Sequence, residues 1–434
     1  MNPRRCFQVP LVTLFLLVCA CPLASADVSP GDIVDKTSWK KAEKLLPESV
    51  LNWVKKGDMV LRVGRLAYDP KDYFPPAARA SLEPNRGKYD LDPNNLVIDA
   101  ETGKPPEFIE GIPFPDIEPK DPKAAEKIMY DRMYYTYTQG NIRLPYDAAW
   151  VSRNTGYDRD VQCAFLQYPL TGYGPARNES NKPGIERFSI LQLLAPFDIA
   201  GTNVLLWRFL DQRKDNTFAY IPAIRRVRRM SPANRSDAYI GSDLCVDDAW
   251  AFDGKVTDFE WKVLRKQEGL VGFLDPAPQA FEKNESGEWH TTRGIRAVAY
   301  GHHKEGWQGA PWVPTNLVWV KRPIYVLSLT PKDPYYNYGV QEIWVDAEVP
   351  FMLIYKAIND RAGDYWKTLW MSFSGFMSAD DRMRLLMVTS IVVTDDRTDH
   401  STVVDLANPN NLQAVYAVQD RNDYSLGGFQ KLCK

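Results

Sequence analysis

The alternation of apolar residues that begins near Trp150 constrains this chain more than any other feature of its sequence. In "TNVLLWRFLDQ", Leu205, Trp207 and Phe209 fall on every second position, as in a strand whose successive side chains point to opposite faces. "RKDN" then predicts a turn, and "TFAYIP" predicts a returning strand that contains Tyr220. This stretch therefore predicts an antiparallel β-hairpin.

Similar strand patterns continue toward the C-terminus and are joined by short turns. In "QEIWVDAEVPFMLIYKAINDRAGD", Ile343 and Val345 share one face, and turns are predicted at Asp346–Pro350 and Asp360–Gly363. No regular alternation of strands and helices indicates a parallel sheet. We therefore expect a mainly β fold of the α+β class, in which residues 150–434 form an antiparallel meander.

The preceding residues, 27–149, have a different character and are expected to pack on the sheet as part of one globular unit. Pro47 ends one short helical pattern and starts a second, for which Gly57 is the stop signal. Residues 68–125 are rich in Pro, Asp, Asn and Gly, which predicts long ordered loops, because proline is excluded from helix interiors and central strands. A further helix is predicted over residues 122–138.

The first 26 residues have the composition of a secretory signal peptide. Arg4 and Arg5 precede an apolar run at Leu11–Ala20, and the small residues of "ASA" predict cleavage before Asp27. The run is shorter than the ~20 apolar residues that a membrane-spanning helix needs. We therefore expect export to the periplasm, with lipidation of Cys21 and attachment to the outer membrane as the minor alternative.

Composition and motifs exclude several classes of function. The net charge of −2 gives no global attraction to nucleic acid. No CxxC pair or His/Cys cluster indicates a metal site, and no nucleotide-binding or catalytic motif is found, so we expect no metal, no cofactor and no catalytic residues. Cys163 and Cys245 could form a disulfide, with Cys433 left free. Paired acids and surface aromatics such as Tyr335 and Tyr336 leave a carbohydrate-active protein as an alternative.

Aromatic residues make up 12% of the chain, and a sheet with an aromatic face must cover that face. A sheet that curls around it can enclose a cavity for an apolar ligand, whereas a tightly filled core is the structural alternative. The candidate cavity-lining residues are those that share a face in the strand patterns, namely Leu205, Trp207, Phe209, Tyr220, Ile343 and Val345.

The segment "AIRRVRRM" contains a cluster of arginines that permits two interpretations. They could form ion pairs with nearby acids, or they could lie at the rim of the cavity and bind acidic lipid headgroups through their guanidinium groups. The acids considered are Asp243, Asp247 and Asp248 of "SDLCVDD". The arginines concerned are Arg225, Arg226, Arg228 and Arg229.

Three segments resemble a known bacterial periplasmic family. "DNTFAYIPAIRRVRRMSPANRSDAYIGSDLCVDD" and "LLPESVLNWVKKGD" resemble the DUF1329 family, a family of unknown function. "EIWVDAEVPFMLIYKAINDRAGDYWKT" is similar to a unit of the outer-membrane lipoprotein-sorting proteins of the LolA/LolB type, to which that family is related. The resemblance implies a large curved antiparallel half-barrel, closed by helices, around an apolar cavity. It also implies two partners, an exporter of the resistance–nodulation–division type and an outer-membrane β-barrel.

These observations predict a non-catalytic periplasmic carrier or binding protein for lipid or other hydrophobic cargo, which acts between the inner and outer membranes. The leading alternative is a structural partner of an outer-membrane or exporter assembly. A secreted carbohydrate-active protein ranks below both.

Overall fold

The computed structural model describes residues 27–433. The predicted signal peptide, residues 1–26, and the alternative lipidation site at Cys21 lie outside the described residues.

Most of the described chain is β-structure, as the sequence predicts. The strands are β1 (Ile33–Val34), β2 (Leu61–Val63), β3 (Tyr89–Leu91), β4 (Val97–Asp99), β5 (Ile142–Ser152), β6 (Gly156–Pro169), β7 (Ile185–Ala195), β8 (Asn203–Phe209), β9 (Asn216–Ile221), β10 (Arg226–Arg229), β11 (Phe259–Phe273), β12 (Gln279–Lys283), β13 (Trp289–Thr291), β14 (Val318–Pro331), β15 (Tyr338–Asp346), β16 (Leu353–Asp360), β17 (Tyr365–Met377), β18 (Arg384–Asp395), β19 (His400–Asp405) and β20 (Ala414–Val415). Apart from the separate β3–β4 hairpin, they belong to one sheet.

An antiparallel series forms the body of this sheet, in the order β11–β14–β15–β16–β17–β18–β19–β5–β6–β7–β8–β9–β10. The hairpin predicted from "TNVLLWRFLDQ" is confirmed as β8 and β9. β5 begins at Ile142, so strand structure starts before Trp150, where the sequence pattern first indicates it.

The sheet curls strongly on itself. β17 pairs with β16 as far as Trp370, and beyond that point Phe373 pairs with Phe273 at the end of β11. The sheet therefore closes on itself from β11 through β14, β15 and β16 to β17, because β17 pairs with β11. The expectation of a large curved, mainly antiparallel sheet is confirmed.

Helices cover parts of this sheet. They are α1 (Glu48–Lys56), α2 (Pro76–Ser81), α3 (Ala124–Tyr137) and α4 (Leu426–Leu432). Short 3-10 helices occur at Trp39–Ala42, Pro70–Asp72, Gly174–Asn178, Pro222–Ile224, Pro232–Ser236, Val246–Ala251, Val256–Asp258, Gly301–His303 and Arg421–Tyr424. No helix within residues 27–433 is both long enough and apolar enough to cross a membrane.

The ends of α1 are where the sequence predicts them. Pro47 is its N-cap, and Gly57 ends it with a φ of +85°, a left-handed conformation that glycine adopts without steric cost. Trp53 and Val54 are buried, and the indole Nε1 of Trp53 donates a hydrogen bond to Asp396 at 2.7 Å. Each such apolar side chain contributes about 1.5–3 kcal/mol on burial.

α3 is buried on almost every side, which distinguishes it from an amphipathic surface helix. Its Tyr135 ring stacks on Phe351 with the ring centroids 4.4 Å apart, and its hydroxyl donates to the carbonyl of Tyr73 at 2.7 Å. The Pro-rich segment before α3, predicted as long loops, also contains α2 and the β3–β4 hairpin, and it packs on the sheet where the Tyr68 hydroxyl accepts a hydrogen bond from Gly375 N at 2.7 Å. α3 and this segment therefore form one packed layer with the sheet.

Candidate functional site

An apolar cavity of about 140 Å³ lies between the sheet and residues 235–255, which we call the crossing segment. Side chains from the sheet and from the crossing segment line it. They are Leu144, Tyr146, Phe165, Ser189, Leu191, Val204, Leu206, Ile391, Val404 and Leu406 on the sheet, and Tyr239, Leu244, Cys245, Val246, Asp248, Ala249, Trp250 and Asp253 on the crossing segment.

Strand register brings the sheet side of the cavity together. Val204 lies opposite Leu191, Leu191 opposite Phe165, and Phe165 opposite Leu144, so one row of apolar side chains crosses β8, β7, β6 and β5. Leu206 lies two residues further along the same face of β8. Because directly opposed residues share a face of the sheet, these four strands form one continuous apolar wall.

Buried ion pairs hold the crossing segment against this wall. Arg235 reaches Asp215, just before β9, with Nη1 2.7 Å from Oδ2, and Lys356 of β16 reaches Asp248 with Nζ 2.7 Å from Oδ1. Asp248 also accepts hydrogen bonds from the Tyr338 hydroxyl at 2.7 Å and from its own segment at Cys245 N. Burial acts to raise the pKa of Asp248, but the Lys356 ammonium and the hydrogen bonds from Cys245 N and Tyr338 together outweigh it and leave that pKa below its usual value. Asp248 is therefore a structural anion.

Further contacts fix both ends of the crossing segment. Near its start, Asp243 accepts a hydrogen bond from Nδ1 of His400 at 2.8 Å, and its carbonyl accepts one from Lys367 Nζ at 2.9 Å. Near its end, Nη2 of Arg187 lies 2.5 Å from Oδ1 of Asp253. Arg132 of α3 donates to backbone carbonyls of the segment, among them that of residue 252 at 2.8 Å. The segment is thus tied to β7, β16, β17, β19 and α3.

One polar side chain of the cavity lining, Tyr239, has a hydroxyl that makes no hydrogen bond within the described residues. This hydroxyl is buried. By contrast, Ser189 accepts a hydrogen bond from Arg187, and both lining carboxylates, of Asp248 and Asp253, are ion-paired. Leaving a buried hydroxyl unpaired costs about 1–3 kcal/mol, a cost that a hydrogen bond to this oxygen would remove.

Four of the candidate cavity residues lie on the face of the sheet opposite the cavity. Leu205, Phe209 and Tyr220 belong to a separate buried cluster with Phe429 of α4, and Trp207 packs against that cluster. None of the four is among the side chains that line the cavity. The alternating pattern correctly separates the two faces of the hairpin, but both faces are buried. The face that carries Leu205 is covered by α4, near the C-terminus, and the other face lines the cavity.

The other two candidates, Ile343 and Val345, are fully buried in the main core. Ile343 lies opposite Lys356 and so shares the face of the sheet that meets the crossing segment. Neither residue is among those that line the cavity. The sequence analysis missed lining residues such as Val204 and Leu206. They belong to the same strand pattern but alternate with the predicted residues and so point to the opposite face of the sheet.

The arginine cluster does not meet the acids considered for it. Asp247, Asp248 and Asp243 are held by Arg235, Lys356 and His400, respectively. Arg225, Arg226, Arg228 and Arg229 are all exposed, on or beside β10 at the edge of the sheet, and within residues 27–433 no ion pair involves them. The ion-pair interpretation is therefore wrong, because the chain turns between the arginines and the acids and brings Arg235 inside instead.

The three cysteines within residues 27–433 are free thiols. Cys163 and Cys245 are buried and are not joined by a disulfide, and Cys433 is partly exposed. Burial raises the pKa of the Cys245 thiol well above its usual value. Among residues 27–433, no group of three or more His, Cys, Asp or Glu side chains is arranged to hold a metal ion.

A second, more polar concavity lies beside α3, which contributes Ile128, Asp131 and Tyr135 to its lining. This cleft has a volume of about 540 Å³, and Tyr325, Ala347 and Phe351 form part of its wall. It also contains charged residues, among them Asp131, whose pKa is raised well above its usual value by burial. The two concavities therefore differ in chemistry, and the cavity under the crossing segment is the more apolar.

The fold and the cavity together define a curved antiparallel-sheet protein with a small apolar space between the sheet and the crossing segment. The chain belongs to the family described as "Protein of unknown function (DUF1329)", whose model matches residues 33–429. The resemblance seen in the sequence is thereby confirmed.

Comparison with solved structures finds similar chains of low sequence identity. A putative outer-membrane lipoprotein-sorting protein domain from Vibrio parahaemolyticus is 15% identical, with 71% of this chain and 99% of that chain covered and a TM-score of 0.47. A DUF1329 family protein from Desulfovibrio piger is 17% identical, with coverage of 68% and 93% and a TM-score of 0.43. A LolA superfamily protein from Nitrosomonas europaea is 13% identical, with coverage of 69% and 97% and a TM-score of 0.40. Comparison with curated proteins finds no match.

Proposed function

We propose that the protein is a non-catalytic periplasmic carrier that binds a lipid or other apolar molecule and moves it between the inner and outer membranes. The observation that carries the proposal is the apolar cavity of about 140 Å³ beneath the crossing segment. Burial of apolar ligand surface in such a space contributes about 25 cal/mol per Å² and needs no charged contact. The predicted signal peptide supports the compartment.

The size of the cavity limits the part of the cargo that it encloses. A dry cavity of about 150 Å³ lined by apolar side chains holds a benzene-sized group. The space here, about 140 Å³, accordingly fits one ring or the end of an acyl chain. We propose that the part of a longer cargo that does not fit in the cavity lies along the crossing segment.

The unpartnered hydroxyl of Tyr239 adds a chemical preference. A cargo with one hydroxyl, ketone or ester group satisfies it, whereas a saturated hydrocarbon does not. A hydrogen bond of this kind has a net value of about 0.5–1.5 kcal/mol. We therefore propose an apolar cargo that carries a single uncharged polar group, such as a sterol or an acyl ester.

The first experiment is native mass spectrometry, with organic extraction, of the protein purified from its own periplasm. Co-purification of about one apolar molecule per chain supports the carrier and identifies the cargo class. If the purified protein carries no ligand and also binds neither added lipids nor fluorescent acyl probes, the carrier function is refuted. That result would favour the alternative of a structural partner in an envelope assembly.

Two matched substitutions test the location of the site. Ala249 lines the cavity, Ala347 lines the more polar cleft, and both side chains are partly buried. Ala249→Phe places a benzene-sized group in the cavity and is expected to lower the affinity for an apolar probe at least tenfold. Ala347→Phe is expected to leave the affinity unchanged. The reverse pattern would assign the ligand to the cleft and refute the site proposed here.

Tyr239→Phe tests the polar preference without changing the volume of the side chain. The affinity for a sterol or a fatty alcohol is expected to fall about three- to tenfold, from the value of one hydrogen bond. The affinity for a hydrocarbon of similar shape is expected to stay the same or rise. Equal changes for both ligands would show that the hydroxyl does not contact the cargo.

A further inference from the structure

One end of the sheet carries unpaired positive charge. β10 is an edge strand that pairs only with β9 in the described residues, and Arg225, Arg226, Arg228 and Arg229 are exposed there. Of these, Arg229 donates a hydrogen bond to Asn216. The turn before β10 ends at Arg225, which has a φ of +50°. The guanidinium groups are therefore displayed along a free edge, although the whole chain has a net charge of −2.

The same end of the sheet exposes apolar side chains. Phe197, in the β7–β8 turn, is 98% exposed, and Leu194, just before that turn, is 51% exposed. Ile221 and Ile224, beside the arginines, are 37% and 42% exposed. The ring of Phe197 therefore stays in contact with water in the folded protein, which is unfavourable for an aromatic side chain.

The exposed apolar groups adjoin Arg225 and Arg226, the arginines at the β9–β10 turn, whereas Arg228 and Arg229 lie further along β10. The β7–β8 and β9–β10 turns are adjacent, since a Cβ added at Gly201 would lie 3.5 Å from Cγ of Pro222. The acid in the first turn, Asp198, is paired with Arg159, whose Nη2 lies 3.3 Å from Oδ2. The positive charge of the surface is thus not offset from within the β7–β8 turn.

We propose that this surface, which we call the β10 tip, docks the protein on a bilayer that contains anionic phospholipid. Arginines at a membrane surface are attracted by acidic headgroups, and exposed aromatic and aliphatic side chains enter the boundary between headgroups and acyl chains. Arginines on an edge strand also discourage pairing with other sheets. That role does not account for Phe197, which lies on a different turn and is almost wholly exposed.

Docking at the β10 tip goes beyond the carrier function and can be tested independently of any cargo. The assay is flotation of the protein, residues 27–434, with phosphatidylcholine vesicles that contain or lack about one-third phosphatidylglycerol. We expect binding to the anionic vesicles, little binding to the neutral ones, and loss of binding at high salt because exposed charges are then screened.

Matched variants locate the contact. Arg226→Gln is expected to weaken binding roughly fivefold, from the electrostatic value of one basic residue near such a surface. Phe197→Ser is expected to weaken it at least tenfold, from the burial of one aromatic ring. Arg382→Gln and Tyr335→Ser are the controls, because these side chains are each 80% exposed but lie elsewhere, and they should leave binding unchanged. Near-ultraviolet circular dichroism verifies that each variant is folded.

Three outcomes would overturn the proposal. They are equal binding to neutral and anionic vesicles, equal effects of the tip and control variants, and failure of the protein to bind the anionic vesicles. Loss of cargo binding with vesicle binding intact would count against the carrier function and leave docking supported.

Discussion

Lys356→Met is the sharpest test of the claim that buried charge clamps the crossing segment. Lys356 and Asp248 are both fully buried, and their ion pair joins β16 to the segment over the cavity. The substitution retains most of the side-chain volume but leaves the Asp248 carboxylate buried without its cation. Removal of one partner of a buried pair costs about 3–5 kcal/mol, a large part of the ~5–15 kcal/mol that stabilises a typical domain.

The double variant separates the cost of an unpaired charge from the net value of the pair. In Lys356→Met/Asp248→Asn no charge is buried, and the new amide oxygen can still accept hydrogen bonds from Tyr338 and from Cys245 N. We expect the double variant to lose only about 0–2 kcal/mol, less than either single variant. Arg382→Met, at an exposed ion pair, is the control and should cost under about 0.5 kcal/mol.

The assay is guanidinium chloride unfolding, followed by tryptophan fluorescence and by far-ultraviolet circular dichroism, which must coincide for a free energy to be derived. The loss in Lys356→Met should be smaller at pH 5 than at pH 8. Without its cation Asp248 acquires a raised pKa, and protonation then removes the buried charge. A loss below about 1 kcal/mol, or a double variant as unstable as the sum of the singles, would refute the clamp.

The remaining predictions concern pH, backbone geometry and thiol reactivity. Burial raises the pKa of Asp405 to about 7. The folded state therefore holds a proton that the unfolded state releases above about pH 4, so stability falls as the pH rises to 7, and Asp405→Asn should be more stable than the wild type at pH 8 by on the order of 1–3 kcal/mol. Thermal melts from pH 5 to 8 check this, and parallel pH profiles for both proteins would contradict it. Gly339→Ala should cost about 2–3 kcal/mol, because a Cβ there would lie 2.0 Å from the carbonyl oxygen of Asp360, whereas Gly427→Ala, in open space on α4, should cost nothing in the same unfolding assay. In residues 27–434, a thiol reagent should label Cys433 before the two buried cysteines, which should react only on unfolding; simultaneous labelling of all three would count against this arrangement.

Local chemistry in the sequence was sufficient to predict α1 and the β8–β9 hairpin. Pro47 and Gly57 mark the ends of α1 because proline favours a helix start and glycine adopts the left-handed stop. The β8–β9 hairpin follows from an alternating pattern around a polar turn. Each of these signals depends on neighbours within a few residues, and the family motif is itself a local run of residues.

The location of the cavity depended on contacts between distant parts of the chain. Leu205 and Leu206 are equally apolar neighbours, and only the docking of Phe429 beneath one face decides that Leu206 lines the cavity. Likewise, nothing local distinguishes Arg235, which is buried in an ion pair, from the exposed arginines just before it. The sequence by itself determined α1, the β8–β9 hairpin and the alternating chemistry of that hairpin's two faces. The tertiary structure decided which face is enclosed and which charges are paired, because burial is a property of the partners that the fold supplies.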